Sequence, residues 1–159
     1  MSPAPATFEM RGDRDLVITR SFNAPRRLVF DCFTKPEHVP NWMIGPDGWT
    51  MPICEVDLRV GGAWRFVYEK PGHPGMTLSG SYIEVSPPAG LVAHERWGPE
   101  WPITVNTLDL TEAGGVTTVV QTVTYPSAEA RAAAMQTGMS AGMEMSFRRL
   151  EAHLATLVP

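Results

Sequence analysis

Six strand-like segments in the middle of the chain are separated by short turns that contain glycine or proline. The segments lie near residues 50–59, 62–70, 76–86, 90–98, 102–111 and 115–125. Links such as Gly61-Gly62 and Pro71–Gly75 are only a few residues long, whereas a crossover between parallel strands needs about a dozen residues or more. The pattern therefore predicts antiparallel neighbours, and it explains much of the content of 14 Gly and 15 Pro.

One long helix is predicted after the strands. From Ser127 to about Thr156, apolar residues recur every three or four positions, which is the spacing of one helical face. That face consists of Met135, Met139, Met143, Phe147, Leu150, Leu154 and Leu157. A helix with one apolar face has to cover another element, and the sheet is the large partner available.

The region before the strands predicts one more strand and two short helices. Residues 14–22 are rich in β-branched side chains, and the helical pattern that follows is broken by Pro40 and ends near Trp42. We therefore expect a single α+β domain over residues 14–159. Residues 1–13, rich in proline and small side chains, are expected to form a flexible tail.

Charge and hydropathy exclude several classes of partner. The 159 residues include 13 Lys and Arg against 17 Asp and Glu, for a net charge of −4, and no long basic run marks a nucleic-acid surface. No window approaches the ~20 apolar residues of a membrane span, and the first residues lack the pattern of a secretion signal. We expect a cytoplasmic protein that binds no nucleic acid and does not span a membrane.

Local spacing predicts neither a metal site nor a cofactor site. Cys32 and Cys54 lack the spacing of a disulfide framework or a zinc motif, and we interpret both as reduced core residues. The histidines lie far apart in sequence, without a pattern such as HxxxH. Gly61-Gly62 lies between two strands rather than in a phosphate loop. We expect no metal, no cofactor and no nucleophile–histidine pair, and assign no catalytic residue.

Several segments resemble one family in register over about residues 14–157. They are Phe22–Phe30, Thr34–His38 followed by Trp42, Val56–Arg65, Gly80–Val85, and Gly138-Met139 to Leu150. These motifs are similar to those of the family of homologues of the activator of heat-shock-protein ATPase (AHSA type), within the SRPBCC or START-like superfamily. The resemblance implies a helix-grip (START-like, Bet v-like) fold. This is a curved antiparallel sheet of about seven strands around a long C-terminal helix, with two short helices after the first strand.

The resemblance also implies a cavity between the sheet and the long helix, roofed by the short helices. Trp64, Phe66 and Tyr68 alternate along one strand and share a face, and methionines suit a pocket that accepts varied shapes. An ordinary filled core is the alternative. The candidate ligand-binding residues are Trp42, Trp49, Trp64, Phe66, Tyr68, Tyr82, His94, Trp97, Met135, Met139 and Met143.

Three functions remain open from the sequence. The leading hypothesis is a protein that binds a small apolar or amphipathic molecule. The family resemblance also implies a chaperone partner. An enzyme acting on an enclosed apolar substrate would need polar groups such as Arg65, Glu84 and His94 to converge on the cavity; Glu95 and Arg96 are further polar candidates. A homodimer is a reasonable expectation because two-fold pairs are the commonest assemblies.

Overall fold

The computed structural model describes residues 3–158, and its elements follow the predicted order except for an added first strand and a break in the last helix. The strands are β1 (Thr7–Arg11), β2 (Asp15–Phe22), β3 (Thr50–Val56), β4 (Ala63–Glu69), β5 (Met76–Ser86), β6 (Gly90–Trp97), β7 (Thr104–Ala113) and β8 (Val116–Thr124). The helices are α1 (Arg26–Thr34), a 3-10 helix (Val39–Asn41), α2 (Ala128–Met135) and α3 (Met139–Leu157).

All eight strands form one antiparallel sheet in the order β1-β2-β8-β7-β6-β5-β4-β3. Strands β3 to β8 form a meander, and β8 pairs with β2. The short turns between neighbours dictate this arrangement, as expected. The curved sheet and the C-terminal helix form the predicted helix-grip fold, with eight strands rather than about seven.

The extra strand is β1, which lies in the segment predicted to be a flexible tail. That prediction is wrong for Thr7–Arg11, which pairs with β2 from Thr7 opposite Thr19 to Arg11 opposite Asp15. Most of the β1 side chains are exposed. Only Phe8 of this strand packs against the core, so the strand depends mainly on backbone hydrogen bonds to the edge of β2, and its sequence gives little indication of it.

The predicted long helix is two helices. Ser127 caps the first, because its Oγ accepts a hydrogen bond of 3.0 Å from the backbone N–H of Ala130. The chain leaves the helical conformation at Gly138, whose φ of +79° is accessible mainly to glycine. The apolar stripe continues across this break. None of the helices among residues 3–158 is long and apolar enough to cross a membrane.

The core consists of two clusters on the concave face of the sheet. The first, which we call the helix cluster, joins α1 and α3 to β2, β7 and β8 through residues such as Phe22, Leu110 and Leu150. The second, the aromatic cluster, consists of residues from β3, β4, β5 and β6 together with Val39 from the 3-10 helix. Met43 packs against both clusters, so they meet beneath the segment that follows the 3-10 helix.

A candidate ligand site on the concave face

Four of the predicted ligand-binding residues form the centre of the aromatic cluster. Trp64, Phe66 and Tyr68 alternate along β4 and lie beside Tyr82 of β5, and all four are buried. The rings of Trp64 and Phe66 are 4.9 Å apart between centroids. Gly80 makes room for Trp64, since a Cβ there would lie 2.8 Å from its ring. This part of the face is packed like a protein core.

Two predicted tryptophans belong to the roof segment, which we define as residues 39–49. Trp42 is 1% exposed and donates a hydrogen bond of 2.8 Å from Nε1 to the backbone oxygen of Cys32. Its ring packs against Phe33 and Phe147, so it belongs to the helix cluster rather than to the aromatic one. Trp49 is partly buried against the aromatic cluster, with its ring 6.1 Å from that of His73. The roof segment thus spans both clusters.

The predicted methionines lie at the border of the helix cluster. Met135, Met139 and Met143 are partly buried and pack against its rim. The Tyr125 hydroxyl donates a weak hydrogen bond to the sulfur of Met139 at 3.7 Å. Flexible side chains therefore line the concave face close to the tyrosine that directly follows the last strand.

A ladder of polar side chains crosses the concave face near the same end of the sheet. Asn106 donates a hydrogen bond of 2.9 Å to Thr104, and Gln121 donates one of 3.3 Å to Asn106. Thr104 is opposite Glu95 in the pairing of β6 with β7. Thr104 and Asn106 are buried, so this polar strip lies in an otherwise apolar core.

Glu95 lies at the end of this ladder, among aromatic side chains. Part of the residue is exposed, but its carboxyl is surrounded by protein, and this burial raises its pKa to about 7. A hydrogen bond with the Trp97 side chain opposes the rise, since it favours the charged form. Burial, followed by the charge of Glu95, raises the pKa of Tyr68 and brings that of Tyr125 to about 12. Glu95 therefore acts electrostatically on a tyrosine of β4 and on the tyrosine that directly follows β8.

Trp97 forms the exposed edge of this arrangement. It is 43% exposed, and its ring stacks on that of Tyr68 at 5.9 Å between centroids. We call the group of Tyr68, Glu95, Trp97, Asn106 and Tyr125 the Glu95 site. It combines a carboxyl that is half-ionised near neutrality with aromatic surface that is accessible from one side.

His94 does not join the other predicted residues. It is exposed on the outer face, because successive side chains of a strand point to opposite faces and its neighbours Ala93 and Glu95 point inward. Arg65 and Glu84 are also exposed, and Arg65 pairs with Glu55 at 2.9 Å. The expected convergence of Arg65, Glu84 and His94 on the cavity is therefore wrong. These three residues do not supply the polar groups that an enzyme acting on an enclosed substrate would need.

Two cavities lie on the outer side of the sheet. One, of about 210 Å³, is lined by residues that include Ser79, His94, Arg96 and Ile103. The other, of about 150 Å³, borders Glu84 and neighbouring strands. Both are smaller than the ~300–1,000 Å³ of most small-molecule sites. The carboxyl and aromatic side chains of the Glu95 site are therefore better evidence about function than these two cavities.

Sequence reasoning included Glu95 among the polar candidates but selected its neighbour. Strand alternation was the pattern that could have separated the two, since Ala93 and Trp97 are the apolar members of the alternating set to which Glu95 belongs. Asn106, Gln121 and Tyr125 were missed because isolated polar residues in strands usually face solvent. Their common face becomes visible only when the register of β7 and β8 is known.

Comparison with known proteins supports the fold over almost the whole chain. A crystal structure of a protein from Rhodobacter sphaeroides is 28% identical and superimposes with a TM-score of 0.91 over 96% of this chain and 99% of that one. A protein from Mycobacterium smegmatis is 22% identical, with a TM-score of 0.84 over 94% and 97% of the two chains. One from Nitrosomonas europaea is 24% identical, with a TM-score of 0.82 over 93% and 98%.

Among curated proteins, none matches this chain. The family model described as "Activator of Hsp90 ATPase homolog 1-like protein" matches residues 23–155. That range begins just before α1 and ends within α3, so it includes the roof segment, strands β3 to β8 and the Glu95 site. The chain therefore belongs to the Activator of Hsp90 ATPase homolog 1-like family.

Proposed function

We propose that the protein binds a small amphipathic molecule on the concave face, with the polar end of the molecule at Glu95. The observation that carries this proposal is the carboxyl of Glu95, which is surrounded by protein and has a pKa raised to about 7. None of the ion pairs among residues 3–158 includes it. A buried carboxyl without a cation costs stability, and a ligand that hydrogen-bonds to it would remove part of that cost.

The surroundings of Glu95 favour a molecule with an apolar body. Trp97 supplies exposed aromatic surface and stacks on the buried Tyr68, and Met139 contacts the hydroxyl of the buried Tyr125. The buried Nε1 of Trp64 has no hydrogen-bond partner among the described residues and offers a further donor on this face. Since the carboxyl exchanges its proton near neutrality, it can accept from an amine or donate to a carbonyl. A fatty acid is a poor candidate, because its carboxylate would meet that of Glu95.

A panel of compounds with one apolar tail and different head groups tests this proposal. The probes are decylamine, decanol, decanamide and decanoate, measured by thermal shift and by calorimetric titration at pH 7. We expect the amine, the alcohol and the amide to raise Tm more than decanoate does. A hydrogen bond to a charged group contributes about 1.5–3 kcal/mol, so Glu95→Gln should weaken binding of the amine about tenfold to a hundredfold.

His94→Gln is the matched control, because it changes the adjacent residue on the opposite face. It should leave the affinity unchanged. The proposal fails when no probe raises Tm, or when Glu95→Gln binds decylamine as tightly as the unaltered protein does.

A chaperone partner is the second candidate, and the family description is the observation that favours it. Purified Hsp90 supplies the test, with ATP turnover measured at increasing concentrations of this protein. Stimulation that saturates would support an activator. Turnover that stays at its basal rate would remove this candidate, and it would leave the ligand proposal untouched because the two assays share no component.

A further inference from the structure

Three potential metal ligands from different parts of the chain meet beside the roof segment. Cys32 lies on α1, His38 directly precedes the 3-10 helix, and His153 lies on α3. Their ligand atoms are all within 4.8 Å of one another. Nδ1 of His38 and Nε2 of His153 are 3.0 Å apart, and the two rings are edge-on at 62°.

The two nitrogens have nearly the separation that a tetrahedral ion imposes. With Zn–N bonds of about 2.0–2.1 Å, two nitrogens on one zinc ion are about 3.3 Å apart. With a Zn–S bond of about 2.3 Å, a thiolate is about 3.6 Å from each nitrogen. Because the ligand atoms of all three residues are within 4.8 Å of one another, a shift of about 1.2 Å or less brings the sulfur to this distance.

The surroundings suit a cation that enters from solvent. The Cys32 thiol is fully buried, whereas both imidazoles are partly exposed and leave a route to the site. Trp42 fixes the backbone of Cys32 through a hydrogen bond of 2.8 Å to its carbonyl oxygen. Burial, followed by the charge of Asp31, raises the pKa of the Cys32 thiol to about 12, so a bound ion has to displace the thiol proton.

A hydrogen bond between two histidines is the simpler explanation of their contact. It accounts for the distance of 3.0 Å between the nitrogens, but it gives no role to a cysteine within reach of both. Soft thiolate and imidazole ligands together select ions such as Zn²⁺. Three protein ligands also leave a fourth position for water, as in open zinc sites.

We propose that Cys32, His38 and His153 form a binding site for a divalent transition-metal ion such as Zn²⁺, with one coordination position open to water. Binding uses Nδ1 of His38 and Nε2 of His153 as lone-pair donors, so the proton now shared between them moves to another ring nitrogen. The Cys32 thiol loses its proton to solvent as the metal–sulfur bond forms, and a coordinating ion deprotonates a thiol outright. No oxidation state changes.

Cobalt titration of the full chain tests the site. Co²⁺ in a tetrahedral site with a thiolate should give visible d–d bands and a thiolate-to-cobalt charge-transfer band in the near ultraviolet, and Zn²⁺ should abolish both by displacement. His153→Gln should weaken Co²⁺ binding at least tenfold. Cys32→Ala should remove the charge-transfer band. Because the readout is the spectrum without any organic ligand, it is independent of the Glu95 site.

Matched controls are available in the same chain. Cys54→Ala changes the other cysteine, and His73→Gln changes a histidine outside the cluster, beside Trp49. Both should bind Co²⁺ like the unaltered protein. His153 is partly exposed, so His153→Gln remains informative when Cys32→Ala fails to fold, which circular dichroism reports. The proposal is overturned when the unaltered protein shows no charge-transfer band, or when His153→Gln retains full affinity.

Discussion

The buried carboxyl of Glu95 makes the stability of the folded protein depend on pH. Its pKa rises from 4.5 in an unperturbed chain to about 7 in the folded protein, because burial penalises the charged form. Between these two values the folded state holds the proton that the unfolded state has lost. The free energy of unfolding therefore falls as pH rises from about 4.5 to about 7, and this contribution is constant above that range.

Replacing Glu95 by glutamine should remove this dependence. Each tenfold change in proton affinity corresponds to ~1.4 kcal/mol. The raised pKa of Glu95 therefore lowers the free energy of unfolding by up to about 3 kcal/mol at pH 8. Glu95→Gln should therefore be more stable than the unaltered protein at pH 8, and close to it at pH 4.5. Urea unfolding at a series of pH values measures both. Glu84→Gln, which removes an exposed carboxyl from the outer face, should leave the slope in place; a slope that persists in Glu95→Gln would contradict the assignment.

The neighbours His94 and Glu95 show where residue-level prediction from sequence ends. Composition and motif place both in the same strand, and the structure assigns them to opposite faces. A shift of one residue in the assumed alternation exchanges every inward and outward side chain of a strand. The aromatic residues of β4 avoid this ambiguity, since Trp64, Phe66 and Tyr68 define a face by themselves.

At the scale of elements, a buried ionic cluster joins α3 to the sheet. Arg20 of β2 is 3% exposed at its side chain and lies 3.5 Å from Glu144 and 3.6 Å from Glu151, both on α3. Its guanidinium donates a hydrogen bond of 2.8 Å to the backbone oxygen of Ser21 and lies over the ring of Phe22. The arginine therefore forms ion pairs with two carboxylates at once beneath the helix.

Arg20→Ala should be strongly destabilising. It leaves Glu151 without an ion-pair partner among the described residues and Glu144 with only the exposed Arg148, and breaking such a buried pair costs about 3–5 kcal/mol. Arg148 is the matched control, because it contacts the same Glu144 at 3.9 Å but is 71% exposed. Arg148→Ala should cost less than about 1 kcal/mol. Equal losses in the two variants, measured by urea unfolding, would show that burial of the pair is not what matters.

Element boundaries were predictable where a local turn fixes them. The ends of β3 to β8 agree closely with the positions of glycine and proline, since those residues act through their own backbone. The break at Gly138 was not predicted, because the apolar stripe continues through it and one glycine costs a helix only about 1 kcal/mol. Strand β1 was missed for a different reason, since its partner is an edge that only the folded sheet supplies.

Contacts between distant segments belong to the whole molecule, and local motifs do not report them. His38 and His153 are separated by 115 positions in sequence, so no spacing rule links them. The Glu95 site likewise requires β4, β6, β7 and β8 to be in register. The family resemblance gives the fold that brings these segments together, but a fold does not by itself specify the polar residues of a site.

Strand β1 leads to a prediction about the whole molecule, because it covers the edge of β2 that would otherwise be free. Deleting residues 1–11 removes the pairing from Thr7 to Arg11 and the hydrogen bond of 2.9 Å from the Ala6 amide to Glu144. We expect a loss of about 2 kcal/mol or more, which lowers Tm by roughly 4–8 °C, and an association that grows with concentration as β2 edges pair. Light scattering after size exclusion and thermal melting measure these effects. Deleting only residues 1–4 keeps β1 and should change neither, whereas an unchanged mass and Tm in the longer deletion would mean that β1 does not protect the sheet.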